Sequence, residues 1–441
     1  MVEFNKNRLA SAVGVAVATG LAAPAGAVVV VGGDNGWEIS FDGNINAFYT
    51  VGDYDQDYVL NGLEATGENF QKDSSRIHSG FLPAFFSFNA KSPTVNGLTG
   101  TARISFAPVI HTGGDQTNEF GRGINGNNTN GLQGASVDTR EVVANISGDF
   151  GEISFGRTLS LFGRQAILND MVLFGVGFEP GPNHFGSVTF GGVGHGYTYP
   201  EFAARIQYTT PNINGFQAAV GMFDPSILDG VSYQGRGFLD ETDTPRFEGE
   251  LSYANSFQGG DFKFWFDGTY QDIESTCNAT VTINANTYNC SDDITVAGWG
   301  VGGNVAFSGF SVSGYYYDGN GLGVTQQFNA FSLTQDANGN LEEADTSGYY
   351  VQGTYTFNGK TKLGVRYGQS EHDGEGGTNP FLGGAEELQL DMWTVGVYHD
   401  VNSWLKLIAE FNQKGGYVDV GGDRLFEGEA NTFSVGSFMF W

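Results

Sequence analysis

Residues 261–270 read DFKFWFDGTY, and this stretch decides the fold. With a period of two it has two faces. Phe262, Phe264, Phe266, Gly268 and Tyr270 lie on one, and Lys263, Trp265, Asp267 and Thr269 on the other. A helix would scatter these residues around its circumference, whereas a strand sends alternate side chains to opposite sides. A face of aromatic rings backed by Lys and Asp needs apolar surroundings on one side and water on the other. Residues 360–368, KTKLGVRYG, repeat the arrangement, with Leu363, Val365 and Tyr367 opposing Lys362, Gly364 and Arg366.

Alternation in segments of about ten residues, the length of a membrane-spanning β-strand, continues outward from here. Segments fall near 37–50, 75–90, 97–110, 137–148, 150–158, 201–210, 215–224 and 245–254. They continue near 260–271, 293–307, 309–318, 346–358, 359–370, 387–400, 402–414 and 430–441. That is an even number, sixteen. The connections alternate between short ones (SGDFG, FSGF, FNGK, DVNSW) and long polar ones such as HTGGDQTNEFGRGINGNNTNGLQGAS. Short turns at one rim and long loops at the other mark an antiparallel transmembrane barrel, all-β and sixteen-stranded, with periplasmic turns and external loops. A ring of this size is too wide for wall side chains to fill, so its inward face borders water. Residues 431–441, NTFSVGSFMFW, read as the last strand, with Phe433, Val435, Met439 and Trp441 facing out and Ser437 interrupting them. Pairing with 37–50, WEISFDGNINAFYT, would close the ring and remove both sheet edges.

Composition agrees. The 441 residues include 68 Gly, 37 Phe and 19 Tyr but only 11 Pro, which suits many turns between aromatic-rich strands. Lys and Arg total 20 against 49 acidic residues, a net charge of −29 that repels phosphate backbones and argues against a nucleic-acid partner. The only cysteines, Cys277 and Cys290, sit in a short polar loop. They suit a disulfide in an oxidising compartment, the alternative being two free thiols.

At the N-terminus, Lys6 and Arg8 precede the apolar run LASAVGVAVATGLAA and the small residues APAGA. This is the order of a secretory signal, with cleavage expected after Ala27 or Ala25 and residues 28–441 as one barrel domain. An N-terminal anchor is the alternative, although the run is shorter than the ~20 residues of a span. Loss of Glu3, Lys6 and Arg8 with the signal takes the charge from −29 to −30. No apolar run of 18 residues follows, so a helical membrane protein is excluded.

Two stretches, TREVVANISGDFGEISFGR at 139–157 and RIQYTTPNINGFQAAVGMF at 205–223, resemble the general diffusion porins of Gram-negative bacteria, as do the aromatic C-terminus, strand count and loop order. The resemblance implies a homotrimer in outer-membrane lipid and lipopolysaccharide, and recognition by the barrel-assembly machinery through the C-terminal residue. That residue is Trp441 where the family usually has Phe, and Phe440 stands where a polar residue is commoner. It also implies that the third long loop folds into the barrel, where its acids face basic wall residues. Here that loop, 158–201, is the longest and is rich in Leu, Val and Phe, which pack better inside than in water.

By resemblance Arg76, Arg140 and Arg205 match the wall arginines, a positive ladder setting up a transverse field. Alternation independently turns Arg205 inward with Gln207 and Thr209. Arg140 shares its parity with Val142, Ala144 and Ile146, and facing inward requires either a bulge or an apolar patch behind the loop. The register around Arg76 is open, because the next residues include Pro83 and hardly alternate. Asp170 and Glu179 are the loop's candidate acids, the alternative being solvated or turn-capping carboxylates. Arg157 and Arg164 flank the loop's start as competing partners for them. Lys263, Asp267, Lys362 and Arg366 are expected to face the lumen.

These features predict a water-filled passage for passive diffusion of small hydrophilic solutes and ions, filtered by size and charge and cation-preferring. No cofactor is required. The acidic outer loops, such as 371–387, EHDGEGGTNPFLGGAEE, suit Ca²⁺, but no metal-ligand set can be named. The alternative is a channel specific for a sugar or an anion, with Trp265, Tyr315 and Tyr317 as stacking candidates, and behind it a surface-binding or structural barrel. An enzyme is not expected: the six histidines show no HExxH spacing, and there is no GxSxG elbow.

Overall fold

A computed structural model of the chain describes residues 28–32, 35–55, 73–108, 110, 137–179, 188–226, 232–233, 236–237, 242–274, 280–283, 286–289, 293–328, 332–336, 338–374, 377–379 and 384–441. The signal segment and both cysteines lie outside these residues.

Sixteen antiparallel strand positions form a closed ring. They are β1 (Glu38–Tyr54), β2 in two pieces (Asp73–His78 and Phe85–Lys91), β3 (Thr99–Pro108), β4 (Val137–Gly148), β5 (Gly151–Leu159), β6 (Phe202–Thr209), β7 (Phe216–Phe223) and β8 (Arg246–Phe257). The ring continues with β9 (Gly260–Ile273), β10 (Ile294–Phe307), β11 (Phe310–Asn320), β12 (Asp345–Phe357), β13 (Thr361–Asp373), β14 (Glu387–Asp400), β15 (Leu405–Val420) and β16 (Asp423–Phe440). Closure runs from Asn44 opposite Phe440 to Tyr54 opposite Ala430. A short strand, Val28–Gly32, pairs with the start of β1 beyond the end of β16.

The faces divide as alternation requires. On β9, Phe264 and Phe266 are about half exposed at the outer surface, while Trp265 and Asp267 are buried inside. An outer surface of Phe, Val, Ile, Leu, Tyr and Trp would be a liability in water and is what a hydrocarbon layer accommodates. Backbone groups pair all round the ring, which satisfies them without water.

Three strands depart from simple expectation. The second is broken between His78 and Phe85, where the chain turns inward and pairs with the third loop: Phe81 N donates to Gly175 O at 2.9 Å and Leu82 N to Leu173 O at 3.3 Å. Pro83, which has no N–H to give the ladder, lies in this excursion, and Asn46 bridges the gap by donating to Leu82 O and accepting from Gly80 N. The last two strands run further than alternation indicated, to Val420 and from Asp423, and meet in a tight turn instead of a long loop. Gly421 and Gly422 both have positive φ, 63° and 81°, the requirement of a two-residue hairpin turn that glycine meets without strain.

Phe438 and Phe440 point inward, with their rings stacked at 5.4 Å and 9°. Phe174 of the third loop approaches them at 5.7 and 6.1 Å. The apolar inner face of β16 is therefore a seat for the loop, which accounts for Phe440 where a lumen would otherwise favour a polar residue. Trp441 exchanges backbone hydrogen bonds with Gly43 on β1.

Candidate functional site: the in-folded loop and the cavity beneath it

The described parts of the connection from β5 to β6, residues 160–179 and 188–201, lie inside the barrel. They carry a short helix, α1 (Arg164–Asn169), and a 3-10 turn (Met171–Phe174). Its apolar residues, among them Phe162, Met171, Val172 and Val176, join Tyr350, Tyr398 and Phe438 of the wall in one core. Arg246 ties the two feet of the loop together. Its Nη2 donates to Ser160 Oγ and its Nη1 to Glu201, both at 3.2 Å.

Wall carboxylates receive the loop's backbone. Glu248 Oε2 accepts from Leu161 N and Phe162 N at 2.6 and 2.9 Å, and Glu410 Oε2 accepts from Val176 N and Gly177 N at 2.7 and 3.1 Å. A loop in a dry interior has no water for these amides, so the wall must supply acceptors.

Both candidate loop acids are pinned by contact pairs. Asp170 meets Arg366 at 3.0 Å, both side chains fully buried, and also accepts from Tyr197 OH at 2.9 Å and Val172 N at 3.1 Å. Glu179 meets Arg76 at 2.8 Å and accepts from Tyr54 OH at 2.6 Å, while Lys414 Nζ donates to the Glu179 carbonyl at 2.6 Å. Burial alone would raise the Glu179 carboxyl, but the Lys414 and Arg76 charges outweigh it and hold the group below the ordinary carboxylate range.

The structure corrects the expected ladder. Arg76 does face a loop acid, but at contact distance, where the two charges compensate each other. Arg140 is turned inward by a bulge: Glu141 pairs with Ser105 and Thr139 with Phe106, leaving Arg140 as the extra residue. It then pairs with Asp138 at 2.9 Å and donates to Tyr199 OH at 2.8 Å, away from both loop acids. Arg205 faces inward as alternation indicated, donating from Nη1 to Leu159 O at 2.6 Å. The arginine opposite Asp170 is Arg366, known from the sequence only as lumen-facing. Arg164 pairs with wall Glu250 at 2.9 Å and not with a loop acid. Arg157 pairs across the ladder with outward-facing Val142 and so lies on the outer face.

Lys263 faces inward and donates to Gln165 Oε1 at 2.7 Å. Lys362 also faces inward, its Nζ 4.9 Å from the Tyr398 ring. Asp267 points in but is sealed from solvent, accepting from Tyr315 OH at 2.8 Å. Trp265, Tyr315 and Tyr317 are buried as well, so the rings considered for a sugar path are covered. Among the described residues no three His, Cys, Asp or Glu side chains converge on a metal site.

Not all of the interior is packed. Near the short-turn rim, a cavity of about 580 Å³ is lined by the inner faces of β1 to β9 and by Arg164 and Gln165 of α1. Its charged groups include Arg103, Arg205, Lys263, Glu141, Glu152 and Glu250. Arg103 is saturated, with Glu141 at 2.6 Å and Asp42 at 2.8 Å. Sequence reasoning missed Arg103, Glu141, Glu248, Glu250, Glu410 and Lys414. Alternation did carry a signal for several of them: in RFEGELS, 246–252, Arg246, Glu248, Glu250 and Ser252 share a parity opposite to Phe247 and Leu251.

The family model for the Gram-negative porins matches residues 10–416. No curated protein matches the sequence. Among solved structures, the outer-membrane channel DcaP of Acinetobacter baumannii is 13% identical over 94% of this chain and 100% of its own, with a TM-score of 0.61. An anion-selective porin from Comamonas acidovorans is 14% identical over 92% and 100%, TM-score 0.57. OmpF of Salmonella typhi, in complex with daunomycin, is 12% identical over 94% and 100%, TM-score 0.53. At these identities the likeness is one of fold.

Proposed function

The chain belongs to the Gram-negative porin family, and from that premise we propose that it mediates passive diffusion of small hydrophilic solutes and ions, sieved by size and charge where the third loop narrows the barrel. It is an outer-membrane channel for small solutes. The observation that carries the sieve is the asymmetric interior: one side is packed solid by the loop, and the other holds a polar cavity of about 580 Å³ lined by charged wall residues. A solute passing that side meets fixed charges in a water-poor setting, where they act more strongly than in bulk. The covered rings of Trp265, Tyr315 and Tyr317 weigh against a sugar slide, and membership of the porin family supports a channel over an enzyme.

Cation preference for small ions is the companion proposal, supported by 49 acidic residues against 20 basic, which raises the cation concentration at the mouth. A homotrimer in lipopolysaccharide-containing membrane, assembled through the Trp441 end, is proposed on family membership. The test is planar-bilayer recording of the purified protein under a KCl gradient. Discrete steps with a cation-selective reversal potential support both proposals, steps with an anion-selective potential remove the preference, and no steps remove the open channel.

A further inference from the structure

We propose that the third loop closes against β2 to β6 in an apolar constriction, which adds the solute's polarity to its size and charge as a criterion of passage. The constriction resists small hydrated ions and favours solutes that carry an apolar face. The inference rests on the channel reading, which supplies the path on which the constriction sits.

Around much of the ring the loop is seated by polar bonds. On β8 and β9 these are Glu250 with Arg164 and Lys263 with Gln165. On β12, Tyr350 OH donates to Ala166 O at 3.0 Å and Gln352 Oε1 accepts from Met171 N at 2.8 Å. Arg366 and Glu410 serve β13 and β15, and Arg76 the first piece of β2. Toward the second piece of β2 and toward β5 and β6 the contact changes character. There Phe85, Leu159 and Phe202 of the wall and Ile167, Leu168 and Leu173 of the loop line a gap of about 30 Å³, together with residues 81–83.

By volume alone this gap would take about two waters, but a buried water needs two to four polar partners. The polar side chains on its lining are Arg140 and Tyr199. Arg140 Nη1 already donates to Tyr199 OH at 2.8 Å, and Asp138 balances the guanidinium charge at 2.9 Å. Phe202 lies against the same guanidinium, its ring centre 5.4 Å from Cζ. Wetting the gap therefore offers water little in exchange for its bulk hydrogen bonds.

The gap adjoins the charged cavity on its external side. Helix α1 gives Arg164 and Gln165 to the cavity and Ile167 and Leu168 to the gap, and β5 divides in the same way between Thr158 and Leu159. On β2, Asn89 lines the cavity, and Phe85, four residues further from the short turn, lines the gap. A solute arriving from the external rim on this side thus meets the gap before the cavity. A hydrated ion must shed water there with nothing to replace it, whereas an apolar group exchanges water for rings and methyls.

Threonine and valine are the probes: both are zwitterionic and close in shape, and they differ by a hydroxyl in place of a methyl. Proteoliposome swelling with the full chain reads their entry, and planar bilayers read KCl conductance. Leu168 is only partly buried, so L168N tests polarity with little risk to folding, L168M is its apolar control, and I167N repeats the test at a buried position. The expected result is valine entry about five-fold faster than threonine in the wild type and in L168M, with the ratio falling to about one in L168N and I167N while conductance rises by a comparable factor. Equal entry of the two amino acids in the wild type, an unchanged ratio in L168N, or an equal rise in conductance in L168M would each overturn the constriction. The two readings fail separately. Conductance alike in the wild type and L168N, with equal entry of both probes, overturns the constriction alone. Conductance appearing only in the polar variants supports it, and no entry or conductance in any of the proteins overturns the channel reading and the constriction with it.

Discussion

The two sides of the barrel interior are built from the same alternating strands and end in opposite states. Under β10 to β16 and β1, the inward residues include Tyr315, Tyr350, Tyr398, Phe438 and Phe440, which pack with the apolar loop in one core. Under β1 to β9 they include Arg103, Glu141, Gln207 and Glu250, and a cavity of about 580 Å³ remains. Alternation determines only that a side chain points inward. Whether it meets water or protein depends on the loop, whose apolar residues pack where rings are offered and leave the charged wall solvated.

The contrast is broken most severely at the buried ion pair on the packed side. R366M leaves Asp170 charged and uncompensated, at a cost of about 3–5 kcal/mol in loop seating. Protease cleavage within 158–201 and a raised, noisier conductance should follow, and the double change D170N/R366M should recover most of the loss. Full resistance to cleavage in R366M would mean that packing alone seats the loop.

Next in size is M171A, which removes a buried contact of the loop core at about 2–4 kcal/mol. Here the thermal unfolding temperature in micelles should fall without the pH sensitivity that a charge variant shows.

A third effect sharpens the comparison through pH. The Glu179 carboxyl is depressed in the folded protein, so its contribution is complete above its ordinary pKa of 4.5 and is lost as pH falls from there through the folded value. Each unit of depression corresponds to about 1.4 kcal/mol. Loop protection in the wild type should decline on acidification below that point, whereas E179Q should start lower and respond less. Parallel acid profiles in the two proteins would remove Glu179 as an anchor.

The smallest stability effect belongs to the wet side. E152Q removes a carboxylate with no ion-pair partner among the described residues, so thermal stability should change by no more than about 0.5 kcal/mol. The reversal potential under a KCl gradient should nevertheless move toward anions. A stability loss as large as that of M171A would show that the two sides are not as different as the structure indicates.

Much of this was legible in the sequence. All sixteen strand positions, the closing pair of strands and the inward third loop follow from alternation, turn spacing and the loop's Leu, Val and Phe content. Arg205, Lys263, Lys362 and Arg366 were placed inward by parity, and the structure puts them there. Arg140 was not secured by parity, because a one-residue bulge inverts every face beyond it and leaves no compositional mark. The break in β2 was signalled only by Pro83 and weak alternation, since the partner that stabilises it, the carbonyls of Leu173 and Gly175, comes from a loop about ninety residues later.

What the sequence determined by itself is the ring. Side-chain parity and strand length are local properties, and a closed antiparallel barrel is the one sheet that satisfies them in a membrane. What only the tertiary structure decided is the pairing of charges inside it: Asp170 with Arg366, Glu179 with Arg76 and Lys414, Arg164 with Glu250, and Arg205 with no carboxylate within ion-pair distance among the described residues. Those choices depend on which point of the loop lies opposite which strand. Distances of a few ångströms between residues far apart in the chain fix the electrostatics, and no local pattern encodes them.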